Sequence, residues 1–189
     1  GVTPMEVAKS ISEGFARNVI SASFNGTTVE TTTPLTTDGS LILYTWNDED
    51  GKKAFWHSTS HVMAQVLEQM YPGIKLTLGP AIANGFYYDV DFEEHKITEA
   101  DFKKIEDRVL EISRGKHEFK LRPVSKADAL ELYKDNVYKT EMITNLEDGT
   151  ITFCDHDTFT DLCRGGHIPN TGIIKAMKIM SVAGAYWRG

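Results

Sequence analysis

Five of this chain's two-residue turn signals cut it into short pieces and constrain its fold more than any other feature. They are Asn25-Gly26, Asp38-Gly39, Pro72-Gly73, Asn84-Gly85 and Asp148-Gly149. An Asn-Gly or Asp-Gly step supplies the left-handed backbone that joins antiparallel strands, and Pro-Gly stops a helix. Between these marks the pattern changes from helical to alternating and back. Thr3 and Glu6 fit a capping box with Pro4 at the first helical position and Gly14 beyond the last periodic residue. Strands are expected over Val19 to Phe24 and Leu41 to Trp46, then a boundary in the polar run Asn47 to Lys53.

Past that boundary a helix is expected over Ala54 to Tyr71 and a strand over Phe86 to Phe92. Next come a helix over Thr98 to Arg114, capped by Thr98, a strand over His117 to Pro123 and a short helix over Ser125 to Asp135. Val137 to Thr144 and Thr150 to Cys154 are expected to pair across Asp148-Gly149, and Ile173 to Trp187 reads as strand-like. The expected class is α+β in two modules, residues 1–50 and 51–189.

Composition narrows the class of function. With 189 residues, 41% hydrophobic and 25% charged, the chain can bury a core. Its longest apolar runs, such as Leu41 to Tyr44, are far too short to cross a bilayer, and the start shows no basic-then-apolar leader. Two cysteines make no disulfide framework, so a reducing, cytoplasmic setting is expected. A net charge of −7 excludes wrapping of a duplex by a global positive field. From Thr160 to Gly189, one acid against four bases leaves a local net charge of +3, suited to a few phosphate contacts.

Two constellations carry chemistry: His57-Ser-Thr-Ser-His61 and Cys163-Arg-Gly-Gly-His167. Residues four apart share a helix face, so His57 and His61 converge, nearly opposite the apolar side of Phe55, Val62, Met63, Val66 and Met70. They face water or a cleft. Two imidazoles, a thiol and a third imidazole are zinc donors, while Gly165-Gly166 places the second pair on a tight loop. Ser58 stands where a zinc-protease helix has glutamate, which excludes that class. Zinc binding and metal-free hydrolysis both stay open at this point. Asp161 is a turn former or an orienting carboxylate. Lys139, on the segment read as a strand, is a surface cation or an oxyanion partner. Tyr87 and Tyr88 alternate, so one of them lines the interior. Cys154 reads as structural, and His95 and His117 as surface residues.

These pairs sit in a longer collinear frame. It comprises Gly79-Pro80, the stretch Asn84 to Asp89, Tyr138-Lys139, the stretch Thr160 to Cys163, and Gly184 to Gly189. In order and spacing the frame closely resembles the editing region of the threonyl-tRNA synthetase family, with related modules in alanyl-tRNA synthetase and freestanding trans-editing proteins. Residues 3–44 look like that family's small ubiquitin-like β-grasp domain without its first hairpin.

The resemblance implies hydrolysis of seryl-tRNA(Thr) at the tRNA 3′ end. His57 and Lys139 would activate the water. Asp161 would hold the seryl ammonium, while His61, Tyr88, Cys163 and His167 would shape the pocket. The 3′-terminal adenosine would enter a cleft between the His57 helix and the Cys163 loop. No cofactor is implied for editing, although His57, His61, Cys163 and His167 could hold zinc. The family's ATP site, its aminoacylation zinc and its homodimer contacts belong to a core beyond Gly189, so this stretch is not expected to charge tRNA. A covalent route through Cys163, a zinc deacylase and a non-catalytic acceptor-stem clamp are the rival readings.

Overall fold

The computed structural model describes residues 1–187; Arg188 and Gly189, which close the tail motif noted above, lie outside the described residues. The chain opens with α1 (Pro4–Ile11) and a single turn, α2 (Glu13–Ala16). Thr3 and Glu6 form the expected capping box, with Thr3 Oγ1 accepting from Glu6 N at 3.1 Å and Glu6 Oε2 from Thr3 N at 2.7 Å. Ser12, ahead of Gly14, ends α1 and caps α2. Strands β1 (Ser21–Phe24), β2 (Thr27–Val29) and β3 (Leu41–Tyr44) form an antiparallel sheet in the order β2-β1-β3. Asn25 and Gly26 turn β1 into β2 with φ of 50° and 78°, as their identity requires.

The spine of the molecule is α3 (Glu49–Met70), 22 residues long. It begins ahead of the apolar pattern because Glu49 and Asp50 place negative charge at its positive end. The polar run read as a boundary is therefore mostly the first turn of the helix. Its middle carries Ser58, Thr59 and Ser60, all buried. Their hydroxyls donate back to the carbonyls of Ala54, Phe55 and His57 at 2.7, 2.8 and 2.6 Å, so this polar stretch can be buried without orphaned donors. Pro72-Gly73 ends it, Gly73 taking φ 85°.

Four two-residue strands follow. β4 (Lys75–Leu76) pairs with β7 (Val90–Asp91), and β5 (Ala81–Ile82) with β6 (Gly85–Phe86). The single strand expected over Phe86 to Phe92 is thus split between two ladders, with Tyr87 to Asp89 between them. Beyond lie α4 (Glu99–Ser113), β8 (Lys120–Pro123), α5 (Lys126–Leu132), α6 (Val137–Thr144), β9 (Thr152–His156), β10 (Phe159–Leu162) and a 3₁₀ turn at Thr171–Ile173. Thr98 and Asp101 box the start of α4, and Ser125 caps α5.

Two expectations are corrected here. Val137 to Thr144 is helix α6, because Asn136 Oδ1 accepts from Tyr138 N and Lys139 N at 3.1 and 3.0 Å and nucleates a helical turn despite the β-prone residues. β9 pairs instead with β8 and β10 in an antiparallel sheet, its hairpin turning at Asp157 with φ 47°. The tail past Ile173 forms no strand among the described residues; Ile179 N donates to Glu106 Oε2 at 2.8 Å. The main core joins Val62 and Val66 of α3 to Ile105 and Val109 of α4, with Phe119, Phe159 and Ile168. The class is α+β, and no described helix is long and apolar enough to cross a membrane.

Gly51, in the first turn of α3, lies against the Thr45 carbonyl; a Cβ there would meet that oxygen at 2.0 Å. Gly51→Ala should destabilise the fold by about 1–3 kcal/mol despite the better helix propensity of alanine. Urea unfolding of the two proteins measures this, and equal midpoints would refute it.

Candidate active site

The site forms where α3 meets the loop after β10. Both pairs converge: His57 Nε2 lies 3.1 Å from Cys163 Sγ and 3.2 Å from His61 Nε2, while Cys163 Sγ lies 3.3 Å from His167 Nε2. The four donor atoms fall within 4.8 Å of one another. His61, Cys163 and His167 are buried, and His57 is partly exposed. The donors of the two pairs are in direct contact, and His57, Tyr88, Gly165 and Gly166 around them are partly exposed.

Local sequence explains the loop. Gly165 and Gly166 take φ of 104° and 88°, open to glycine and strained for other residues. The turn lets Gly165 N donate to Cys163 Sγ at 3.3 Å. Ser58 Oγ accepts from Ile168 N at 2.9 Å, which ties the loop to α3. Phe119 stacks on His167, ring centroids 5.1 Å apart and planes 8° from parallel.

Beneath the cluster lies a buried charge pair. Lys139 Nζ, brought in by the first turn of α6, lies 2.6 Å from Asp161 Oδ1, with both side chains 3% exposed. The segment read as a strand is helical, and of the two readings of this lysine its burial excludes the surface cation. Asp161 Oδ2 accepts from Tyr88 Oη at 2.6 Å and stands 3.1 Å from His61 Nδ1, an ion-pair distance without hydrogen-bond geometry. Lys139 Nζ sits over the rings of Tyr133 and Tyr88, 5.8 and 5.9 Å from their centroids. Of the two alternating tyrosines, Tyr88 turns in and Tyr87 is exposed.

Proton affinities follow from this packing. Burial alone would raise the Asp161 carboxyl; the Lys139 ammonium, then His61, holds it well below the usual carboxylate range. Burial likewise opposes a Cys163 thiolate, but hydrogen bonds from His167, His57 and His61 bring the thiol well below its ordinary value. His167 is pushed the other way: burial favours the neutral ring, and contacts with Cys154, Cys163 and Glu30 raise it well above an ordinary histidine. Cys154 is raised, mainly by burial, and stays an inert thiol 3.7 Å from His167 Nδ1. His156, buried with its Nε2 2.9 Å from Gln65 Oε1, is lowered to about 3, by burial first and then the His61 charge.

Sequence reasoning missed Glu30. This buried carboxylate from the first fifty residues accepts from Gly166 N at 2.7 Å and contacts His167 Nδ1 at 3.2 Å. A single acid after a short hairpin carries no signal of that. Tyr133 and Asn136 were missed too; an Asn at helix-cap spacing before Lys139 was the available clue.

An α+β domain that joins a histidine-pair helix to a Cys–His loop over a buried lysine–aspartate pair matches a synthetase-associated class. Residues 150–186, which hold Asp161, Cys163 and His167, match the family described as threonyl and alanyl tRNA synthetase second additional domain. Over all 189 residues the chain is 87% identical to a threonine–tRNA ligase of Flavobacterium johnsoniae and 85% identical to that of Flavobacterium psychrophilum. It is 52% identical over 191 positions to that of Parabacteroides distasonis. Over its whole length the chain is thus similar to members of the threonyl-tRNA synthetase family, and it spans 29% of the length of those three relatives.

Removing one partner of a buried ion pair leaves the other uncompensated. Lys139→Met should therefore cost about 3–5 kcal/mol, and adding Asp161→Asn should restore part of it. Because the Asp161 carboxyl is lowered in the fold, the pair stabilises fully above the unfolded value near 4, roughly, and less as pH falls below it. Denaturation series against pH should show the gap between the wild type and Lys139→Met narrowing in acid; a gap that widens there contradicts the assignment.

Proposed function

We propose that this chain is an aminoacyl-tRNA editing module that hydrolyses serine from tRNA(Thr). The observation that carries the reading is the meeting of two distant pairs, His57/His61 and Cys163/His167, above the buried Lys139–Asp161 pair. Residues 1–50 form a small accessory module and residues 51–189 the editing domain. The setting is the cytoplasm, where both cysteines stay free.

Selection comes before chemistry. A missing methyl is worth only about 1–3 kcal/mol to a binding site, too little for translational accuracy, so a second site that admits only the smaller amino acid completes the sorting. His61, Cys163 and His167 make a dense wall against the threonine methyl, and Tyr88 lines the same seat. Asp161 keeps Lys139 on Oδ1 and offers Oδ2, now shared by Tyr88 and His61, to the seryl ammonium.

The chemistry needs one water. His57, the partly exposed member of the cluster, takes a proton as the water oxygen attacks the ester carbonyl. The Lys139 charge stabilises the oxyanion from a low-dielectric position. The C–O bond to the ribose then breaks, the ribose oxygen takes back a proton, and serine and tRNA leave. Cys163 shapes and charges the pocket without attacking, since its sulfur is already enclosed by His57, His167 and Gly165 N.

A second reading has an observation of its own. The donor set is also one that would hold zinc on His57, His61, Cys163 and His167, where the metal would supply Lewis-acid polarisation. We favour the metal-free site because His57 is then left as a base.

His57→Ala should slow release of serine from seryl-tRNA(Thr) by roughly 10²–10⁴-fold while the thermal melt is retained. Binding of the charged tRNA with no release by the wild type would make the chain a clamp instead. Deacylation should also survive chelation, with substoichiometric zinc by elemental analysis. Stoichiometric zinc with activity lost on chelation would establish the second reading.

A further inference from the structure

We propose that Glu30 is a positioning residue of this site, delivered by the first module to fix the Cys163–His167 loop and the ring of His167. The proposal rests on the editing reading and adds a residue and a module to it.

Glu30 follows β2, more than a hundred residues from the loop in sequence, yet it is only 6% exposed. Its Oε1 accepts from Gly166 N at 2.7 Å and from His167 Nδ1 at 3.2 Å, and its Oε2 from His167 N at 3.3 Å. Three N–H groups therefore converge on one carboxylate. Two of them are backbone groups of the loop that the left-handed Gly165 and Gly166 shape. The fit is close: a Cβ on Gly165 would lie 2.7 Å from Glu30 Oε1. Among the described residues, the ion partner of Glu30 is His167.

The consequence lies in the His167 ring. A hydrogen on Nδ1 is committed to Glu30, so Nε2 faces Cys163 Sγ at 3.3 Å, and stacking on Phe119 prevents the ring from turning. Glu30, His167 and Cys163 thus form a carboxylate–imidazole–thiol relay of orientation, and His57, its ring centroid 4.9 Å from that of His167, meets the same sulfur at 3.1 Å. Carboxylates that orient metal-ligating histidines in this way typically affect metal affinity or activity about 10–100-fold when lost, and the same range is taken for the His167 ring.

The test uses the whole chain with Glu30→Ala and Glu30→Gln. Two readouts are needed: kcat and KM for serine release from seryl-tRNA(Thr), and nitrogen-15 histidine spectra reporting the hydrogen on His167 Nδ1. Glu30→Ala should lower kcat about 10–100-fold with KM nearly unchanged, and lose the protected Nδ1 hydrogen. Glu30→Gln, which keeps one acceptor oxygen, should fall between it and the wild type, and it carries the test if the alanine variant does not fold. A folded variant with wild-type kcat and an intact Nδ1 hydrogen overturns the proposal. A wild-type chain that releases no serine refutes the editing reading instead, and the His167 spectrum alone then decides the role of Glu30.

Discussion

Taking an ammonium and a carboxylate out of water costs several kcal/mol each, and their attraction offsets this only when every remaining donor and acceptor is met. Lys139 and Asp161 draw their compensating contacts from four different parts of the chain. α6 brings the lysine, β10 the aspartate, the segment between β6 and β7 the Tyr88 hydroxyl, and α3 the His61 ring. The pair is thus a demand on the fold: α6 must begin where Asn136 caps it, or the ammonium misses its partner. Asn136 Nδ2 also donates to the Leu76 carbonyl at 2.8 Å, which pins that cap to β4.

Above the pair, a rigid helix meets a loop that only glycine can make. α3 presents its histidines reliably because its buried hydroxyls are satisfied within its own backbone, and Ser58 has a lone pair left for Ile168 N. The loop has little internal structure and takes its shape from three anchors: Ser58, the stacked Phe119 and Glu30. One of these comes from residues 1–50. The first module therefore does more than precede the second, since part of the wall behind His167 is its own side chain.

Much of this was legible in the residues. The capping box at Thr3, the cap at Thr98, the Asn25-Gly26 turn and the Pro72-Gly73 stop are local signals, and they hold because their hydrogen bonds close within a few residues. His57 with His61 was legible for the same reason, as was the glycine-shaped loop between Cys163 and His167. What failed was whatever depends on distant partners. Val137 to Thr144 is β-prone by composition, yet one cap makes it helical. The hairpin of β9 and β10 turns at Asp157-Thr158, without a glycine, while Asp148-Gly149 links α6 to β9. Lys139 looked like an ordinary surface cation, because burial of a lysine is decided by a carboxylate 22 residues away.

The density of the site follows from the sorting proposed for it. A threonine-sized intruder differs from serine by one methyl, so a wall that yields by a few tenths of an ångström would lose the distinction. Solvent-exposed side chains cannot be that stiff. His61, Cys163 and His167 can: Cys163 Sγ is held by His57, His167 and Gly165 N, the His167 ring by Cys163, Glu30 and the stacked Phe119, and His61 by His57 beside Asp161. His57 differs from the rest: it bridges Cys163 and His61 yet keeps one side toward water. In the proposed reading the rigid wall rejects the methyl and the single partly exposed imidazole moves the proton.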